Sequence, residues 1–183
     1  MSGWKNKRTV MQRYDLTAEM YEERYAKEQE AKYLAALQNV SVAGCAVLDA
    51  GCGSGLFFSH VAGEVKLVFG VDISRKLLFK AKDQANAFEN VMVLQADVDH
   101  LPFREGFFDI VFAFTVLQNM PKPSVTLGEL KRVTKGGGKL VVTGLKKAFE
   151  LNKFVDILEG KGLGMDSFID CEDLKCYVAT LSV

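Results

Sequence analysis

The chain has 183 residues, 49% of them hydrophobic, which is the length of one domain with enough apolar material for a substantial core and too little for two full domains. Lysine and arginine together number 23, as do aspartate and glutamate, so the molecule as a whole has no field to draw in a polyanion or an anionic membrane surface. An RNA substrate would need a local basic patch, and Lys5, Lys7, Arg8 and Arg13, ahead of the first acid Asp15, are the candidate; a solvated basic tail is the alternative reading. The opening Met1-Ser2-Gly3-Trp4-Lys5 lacks the apolar core of a signal peptide, and no apolar run reaches the ~18 residues of a membrane span, so a cytoplasmic protein without membrane contact is expected. Cys45, Cys52, Cys171 and Cys176 contain no C-x-x-C pair and are expected to be thiols, with no metal bound.

Residues 1–39 read as helical and lie outside the pattern that follows. Glu23→Lys27 and Glu28→Lys32 are i,i+4 pairs in the favourable order, and Tyr33, Leu34 and Leu37 offer an apolar edge for packing on a sheet. Tyr21 and Tyr25 share a helix face that suits either stacking over a planar group or ordinary packing. Residues 40–183 then alternate short β-branched runs with helical stretches, as expected for a parallel sheet covered by helices. Residues 46–50 read as a first strand buried on both faces, and residues 55–62 as a helix opened by a glycine turn. A second strand at 67–71 leads to a helix capped by Ser74, with Leu77, Leu78, Ala81, Ala85 and Phe88 at helical spacing. A third strand covers 91–96 and a fourth 108–114. A helix over 124–133 buries Leu127, Leu130 and Val133 and is ended by Gly136-Gly137-Gly138. A fifth strand at 140–143 and a helix near 148–159 follow. The segments 165–169 and 176–181 are too close for a crossover helix and predict an antiparallel hairpin, making seven strands. The predicted fold is therefore α/β: a doubly wound, seven-stranded, mostly parallel sheet whose last strand is antiparallel. The expected organisation is a helical cap at 1–39 and a main unit at 40–183, compacted into one domain.

Three strand ends carry the chemistry. Val47-Leu48-Asp49-Ala50-Gly51-Cys52-Gly53-Ser54-Gly55 is a strand running into a glycine-rich turn and a helix start, where a ligand can approach the backbone and unpaired N–H groups can face an anion. A dinucleotide fingerprint would place its third glycine at position 56, which is Leu56, so a nicotinamide-dependent oxidoreductase is a distant alternative. Val71-Asp72-Ile73 ends the second strand beside that turn, and Asp72 can accept from a ribose diol or serve as a helix-initiating acid. Gln95-Ala96-Asp97-Val98-Asp99 ends the third, where Asp97 can accept from an adenine amino group with Val98 over the ring, or form a polar turn.

These segments, in this order and continued through Phe108-Asp109-Ile110-Val111-Phe112 and Leu130-Lys131-Arg132-Val133-Thr134-Lys135-Gly136, resemble the successive motifs of the class I (seven-stranded, Rossmann-like) S-adenosylmethionine-dependent methyltransferases, of the methyltransferase type 11-like kind. The resemblance implies S-adenosyl-L-methionine as cofactor and S-adenosyl-L-homocysteine as product. It implies that Asp49, Ala50, Gly51, Cys52 and Gly53 surround the methionine end, that Asp72 and Ile73 meet the ribose, that Asp97 and Val98 hold adenine, and that Phe114 completes the cofactor site. It implies no universal catalytic residue, because displacement at an activated methyl needs mainly proximity and a dry site. Candidates on the acceptor side are Tyr14, Tyr21, His100, Gln118 and Asn119. The chain has Phe114-Thr115-Val116-Leu117 where enzymes acting on exocyclic nitrogens carry an Asp/Asn-Pro-Pro-aromatic signature, and it has no Pro-Cys pair. The acceptor is thus open between small molecule, protein and RNA, with two alternatives kept: an RNA methyltransferase and a non-catalytic cofactor-binding subunit supporting a partner.

Overall fold

The computed structural model describes residues 2–183, with the side chains of residue 2 and of residues 21–25 outside the description. The elements run α1 (Ser2–Thr17), α2 (Tyr21–Leu37), β1 (Ala46–Ala50), α3 (Phe58–Val61), β2 (Leu67–Asp72), α4 (Arg75–Ala85), β3 (Val91–Gln95), β4 (Phe108–Ala113), α5 (Pro123–Val133), β5 (Thr134–Leu145), α6 (Leu151–Glu159), β6 (Gly164–Ile169) and β7 (Cys176–Ser182). The seven strands form one sheet in the order β3-β2-β1-β4-β5-β7-β6. The pairs from β3 to β5 are parallel, and β7 runs antiparallel to both its neighbours. The order reverses between β1 and β4, and the crevice beyond their carboxyl ends is where such sheets take ligands.

Alternate residues of the central strands enter two cores. Val47, Val68, Phe112 and Val141 pack under Tyr33, Phe57 and Phe58 on one face. Leu48, Val71, Val111, Leu140 and Val142 pack against Leu127, Leu130 and Phe154 on the other. Burial on both faces explains why these strands read as unbroken apolar runs rather than alternating ones. Tyr33 anchors α2 to the sheet, its ring 4.8 Å from Phe114 and 5.0 Å from Phe57, aromatic contacts of a kind that add about 0.5–1.5 kcal/mol each beyond area burial. Leu34 on the same helix is exposed, so the apolar edge predicted there narrows to Tyr33 and Leu37. No helix among the described residues is long and apolar enough to cross a membrane.

Several predicted boundaries move, for local reasons. The helix expected over 55–62 is a glycine turn followed by a single helical turn at α3, because Gly53 and Gly55 are held at positive φ (57° and 85°) and the chain cannot become helical until it has passed them. Phe58 then covers β2 so closely that a side chain at Gly70 would run into its ring. The triple glycine does not end α5. That helix stops at Val133, and Thr134 is already extended (φ −81°, ψ 138°), its hydroxyl donating to the Leu130 carbonyl at 2.8 Å. Gly136–Gly138 instead belong to β5, in an irregularity where Phe108 faces Thr134 but Ile110 faces Lys139; a Cβ at Gly138 would lie 2.7 Å from the Asp109 carbonyl. The helix placed near 148–159 begins only at Leu151, and Phe88 lies beyond the end of α4.

The acid-lined cavity and its neighbour

The glycine turn is fixed by the strand beside it. Gly51 and Cys52 both donate their N–H to the Val71 carbonyl (2.7 and 3.0 Å), bending the chain off β1. Gly51 sits at φ 80°, and a Cβ there would come within 2.5 Å of Val116, so a side chain would fill the space the turn leaves open. Asp72, at the end of β2, accepts from the N–H of Gly53 (2.9 Å) and of Ser74 (2.8 Å), one on each oxygen, which fixes the carboxylate while leaving acceptor capacity on both. Ser74 caps α4 as the sequence predicts, its Oγ accepting from the Leu77 N–H at 3.2 Å and donating to Asp15 of α1 at 2.6 Å.

A cavity opens above this turn. Gly51, Gly53, Asp72, Ile73, Asp97, Val98 and Phe114 line it from the sheet side, and Lys7, Val10 and Tyr14 of α1 line it from above. Asp49, Ala50 and Cys52, also expected at the site, are buried beneath that lining. Burial, and then the charge of Asp72, pushes the Asp49 carboxyl up to about 8. Burial likewise raises Asp72 against the lowering effect of the N–H groups of Ser74, Gly53 and Ile73, with Asp15 adding repulsion, and the Cys52 thiol is raised by burial and by both aspartates. Among the described residues no side-chain cation lies within ion-pair distance of Asp49 or Asp72. Two buried acids thus stand beside an open glycine turn, and the buried Ser54 hydroxyl nearby has no hydrogen-bond partner.

At the β3 end the structure departs from expectation. Asp97 is engaged by Lys7, whose Nζ lies 2.8 and 2.7 Å from its two oxygens and 2.5 Å from Asp99. Burial disfavours the Lys7 ammonium, but its hydrogen bonds and attraction to Asp97 and Asp99 outweigh this and raise its pKa. Lys7, only 7% exposed, is thus neither tail nor patch, and the basic start reduces to Lys5, Arg8 and Arg13 on the surface. His100 is exposed and is not among the residues that line the cavity. Tyr21 and Tyr25 lie outside the described side chains.

A second cavity adjoins the first, and Tyr14, Thr115 and Asn119 line both. Thr115, just after β4, is at φ 61°, the one non-glycine residue at positive φ among those described, and a costly conformation for a β-branched side chain. It is held there by its N–H, which donates to Thr143 Oγ1 (2.8 Å), and by its carbonyl, which accepts from Asn119 Nδ2 (2.8 Å). Asn119 also donates to the Tyr14 hydroxyl (3.2 Å) and accepts from Arg13 (2.9 Å), so the predicted candidates Tyr14 and Asn119 meet. Gln118 points into the second cavity. Sequence reasoning read Lys7 only as part of a basic start and Lys32 only as the partner of Glu28, and it gave Val10 no role; a lone lysine or valine on a helix carries no signal of a cavity, and the strain at Thr115 is visible only in the backbone.

A parallel sheet with an antiparallel seventh strand, bearing a ligand cavity at its switch point, is the architecture of the class I methyltransferases. The sequence family described as methyltransferase domain matches residues 48–142, just over half of the chain, and the chain belongs to that family, the S-adenosylmethionine-dependent methyltransferases. It is 36% identical over 101 residues to the demethylmenaquinone methyltransferase of Staphylococcus aureus, covering 54% of this chain and 42% of that enzyme. The chain spans about half or less of the length of the curated relatives it matches. Among solved structures, a SAM-dependent methyltransferase from Aquifex aeolicus superposes with a TM-score of 0.72 at 20% identity, covering 85% of this chain and 96% of that one. A Haloferax volcanii protein solved in complex with the Trm112 methyltransferase activator superposes with a TM-score of 0.76 at 17% identity, covering 92% and 96%. The last two establish the fold.

Proposed function

We propose that this chain catalyses methyl transfer from S-adenosyl-L-methionine, with release of S-adenosyl-L-homocysteine, to an acceptor held in the second cavity. The observation that carries the reading is the pair of buried, cation-free carboxylates, Asp49 and Asp72, beside an open glycine turn in a chain of this family. When bound, the cofactor supplies a methyl group already activated by a positive sulfonium. Asp49, beneath Ala50, Gly51, Cys52 and Gly53, would favour the cationic methionine end. Asp72, with Ile73 beside it, would accept from the ribose diol, Asp97 from the adenine amino group in competition with Lys7, and Val98 and Phe114 would cover apolar faces. Tyr14, Thr115 and Asn119 stand at the junction and would orient the acceptor, while α1 excludes water from above. Residues 1–39 would then act as a cap on the unit formed by 40–183, in a cytoplasmic protein. Calorimetry with S-adenosyl-L-homocysteine and with NAD tests this: the former should bind and raise the melting temperature, by about 2.7 kcal/mol of linkage at a hundredfold excess over Kd, and tighter binding of NAD would overturn it.

A second reading, dependence on a partner subunit, is favoured by one observation, the activator bound to the Haloferax volcanii fold relative. Transfer from labelled cofactor into fractionated RNA, protein and metabolite pools, with and without a cell extract, separates a self-sufficient enzyme from one that needs a partner, and names the acceptor pool.

A further inference from the structure

The second cavity carries a charge opposite to the first. Arg13, Lys32, Lys147 and Lys175 line it, and Glu28 is the only acid among its described lining residues. Glu28 is shared between two ammonium groups, Lys32 at 2.8 Å and Lys175 at 3.0 Å, and these hold its carboxyl below the usual range against the effect of burial. Arg13 donates to the neutral side-chain carbonyl of Asn119, and among the described residues Lys147 has no ion pair. The described lining is therefore strongly positive. Lys32 is the inmost of these cations, 1% exposed, its Nζ 3.2 Å from the hydroxyl of Thr115 at the wall between the two cavities. The amide nitrogen and oxygen of Gln118 are buried in the same cavity with no hydrogen-bond partner, a donor left for something that enters.

Resting on the methyltransferase reading of the adjoining cavity, we propose that the acceptor is a small molecule bearing a carboxylate or phosphate, which this cavity holds against Lys32, Lys147, Lys175 and Arg13 with a hydrogen bond from Gln118. An anionic acceptor on one side of Thr115 and a cationic donor on the other attract across the junction, which shortens the approach that transfer requires. Lys32 and Glu28 neutralise one another, so the recognition falls on the charges in excess of that pair. A small molecule is favoured over RNA because the cations converge on a concave site instead of lying along an exposed stripe.

The test uses benzoate and phenyl phosphate as probes, with benzamide as the neutral isostere, titrated calorimetrically into the full chain with and without S-adenosyl-L-homocysteine. Both anions should bind at least tenfold more tightly than benzamide, and more weakly at high salt. Lys147→Glu, at an exposed position with no ion pair among the described residues, and Lys175→Glu, which also removes a partner of Glu28, should each weaken the anions by about tenfold and leave S-adenosyl-L-homocysteine affinity within twofold. Gln118→Leu should weaken them by a smaller factor. Equal binding of benzamide, no anion binding, or anion binding indifferent to both charge reversals overturns the proposal. A uridine oligonucleotide that displaces the probes at lower concentration also overturns it and reassigns the site to RNA. Failure of S-adenosyl-L-homocysteine to bind would instead sink the methyltransferase reading, while the titrations without it still report on the cavity.

Discussion

The two cavities share a wall at Thr115 yet are built in opposite ways. The first is made at strand ends from short contiguous segments, acid-lined, with backbone N–H groups fixing Asp72 and bending the glycine turn. The second is assembled from positions as far apart as Arg13 and Lys175, cation-lined, with long side chains as its working parts. Backbone geometry at the switch point can serve one invariant ligand, whereas helices and loops above it can be varied to select different acceptors. The contrast also predicts mechanical difference: the first cavity's floor is rigid, and its roof is one helix tied down by a few polar contacts.

The largest expected effect that sharpens this contrast is Asp72→Ala. Losing two hydrogen bonds to a charged acceptor, at roughly 1.5–3 kcal/mol each, lowers S-adenosyl-L-homocysteine affinity on the order of a hundredfold or more. Asp99→Ala should change it only a few-fold, since Asp99 is engaged by Lys7 and by the Thr126 hydroxyl (2.5 Å). Equal effects of the two in calorimetry would remove the distinction between floor and roof.

Asp49→Asn comes next and should act in two directions. Folding carries the Asp49 carboxyl from its ordinary value up to about 8, so between those values unfolding releases a proton and the ligand-free protein loses stability as the pH rises. The asparagine variant should therefore melt higher than the parent at pH 8–9, with the gap closing toward pH 4, while binding S-adenosyl-L-methionine roughly tenfold more weakly. A variant that melts lower at every pH would show that the buried charge stabilises the free fold.

Lys7→Met should loosen the roof. Its ammonium is the contact between α1 and the β3 end, and the partners it leaves behind, Asp97 and Asp99, stay partly solvated, so hydrogen exchange should rise across residues 4–17 while cofactor affinity stays within a few-fold. Exchange in residues 14–25 should slow when S-adenosyl-L-homocysteine binds if α1 acts as a lid; equal protection with and without it marks ordinary packing. The smallest effect is expected at Lys153→Ala, which removes an exposed pair with Glu150 and should shift stability by less than about 0.5 kcal/mol in denaturant titration.

The sheet was legible in the sequence because buried strands are marked by composition: β1 is found at the predicted residues and the other strands end within one residue of them, except β5, which runs Thr134–Leu145 where 140–143 was predicted. Helix starts were less so, since the glycines that open the turn at 51–55 also delay α3, and a glycine run inside β5 resembles a helix stop. At the site, Asp72 and the glycine turn were readable as local motifs. Lys7 against Asp97 was not, because contacts across 90 residues have no periodicity to betray them. The second cavity was hidden for the same reason.

The bond from Lys175 to Glu28 joins residues 147 apart in the chain and ties α2 to the approach to β7. Within this sequence α2 thus precedes every strand of the sheet, yet one of its partners, β7, comes last. At ribosomal rates of about 5–20 residues per second, α2 waits on the order of ten seconds before β7 exists to receive it. During that interval Tyr33 can already meet Phe57 and Phe114, but the part of α2 that packs on β7 stays uncovered and open to whatever chaperone or neighbouring chain it meets. Slowing elongation ahead of β7 would lengthen that exposure without altering the folded protein.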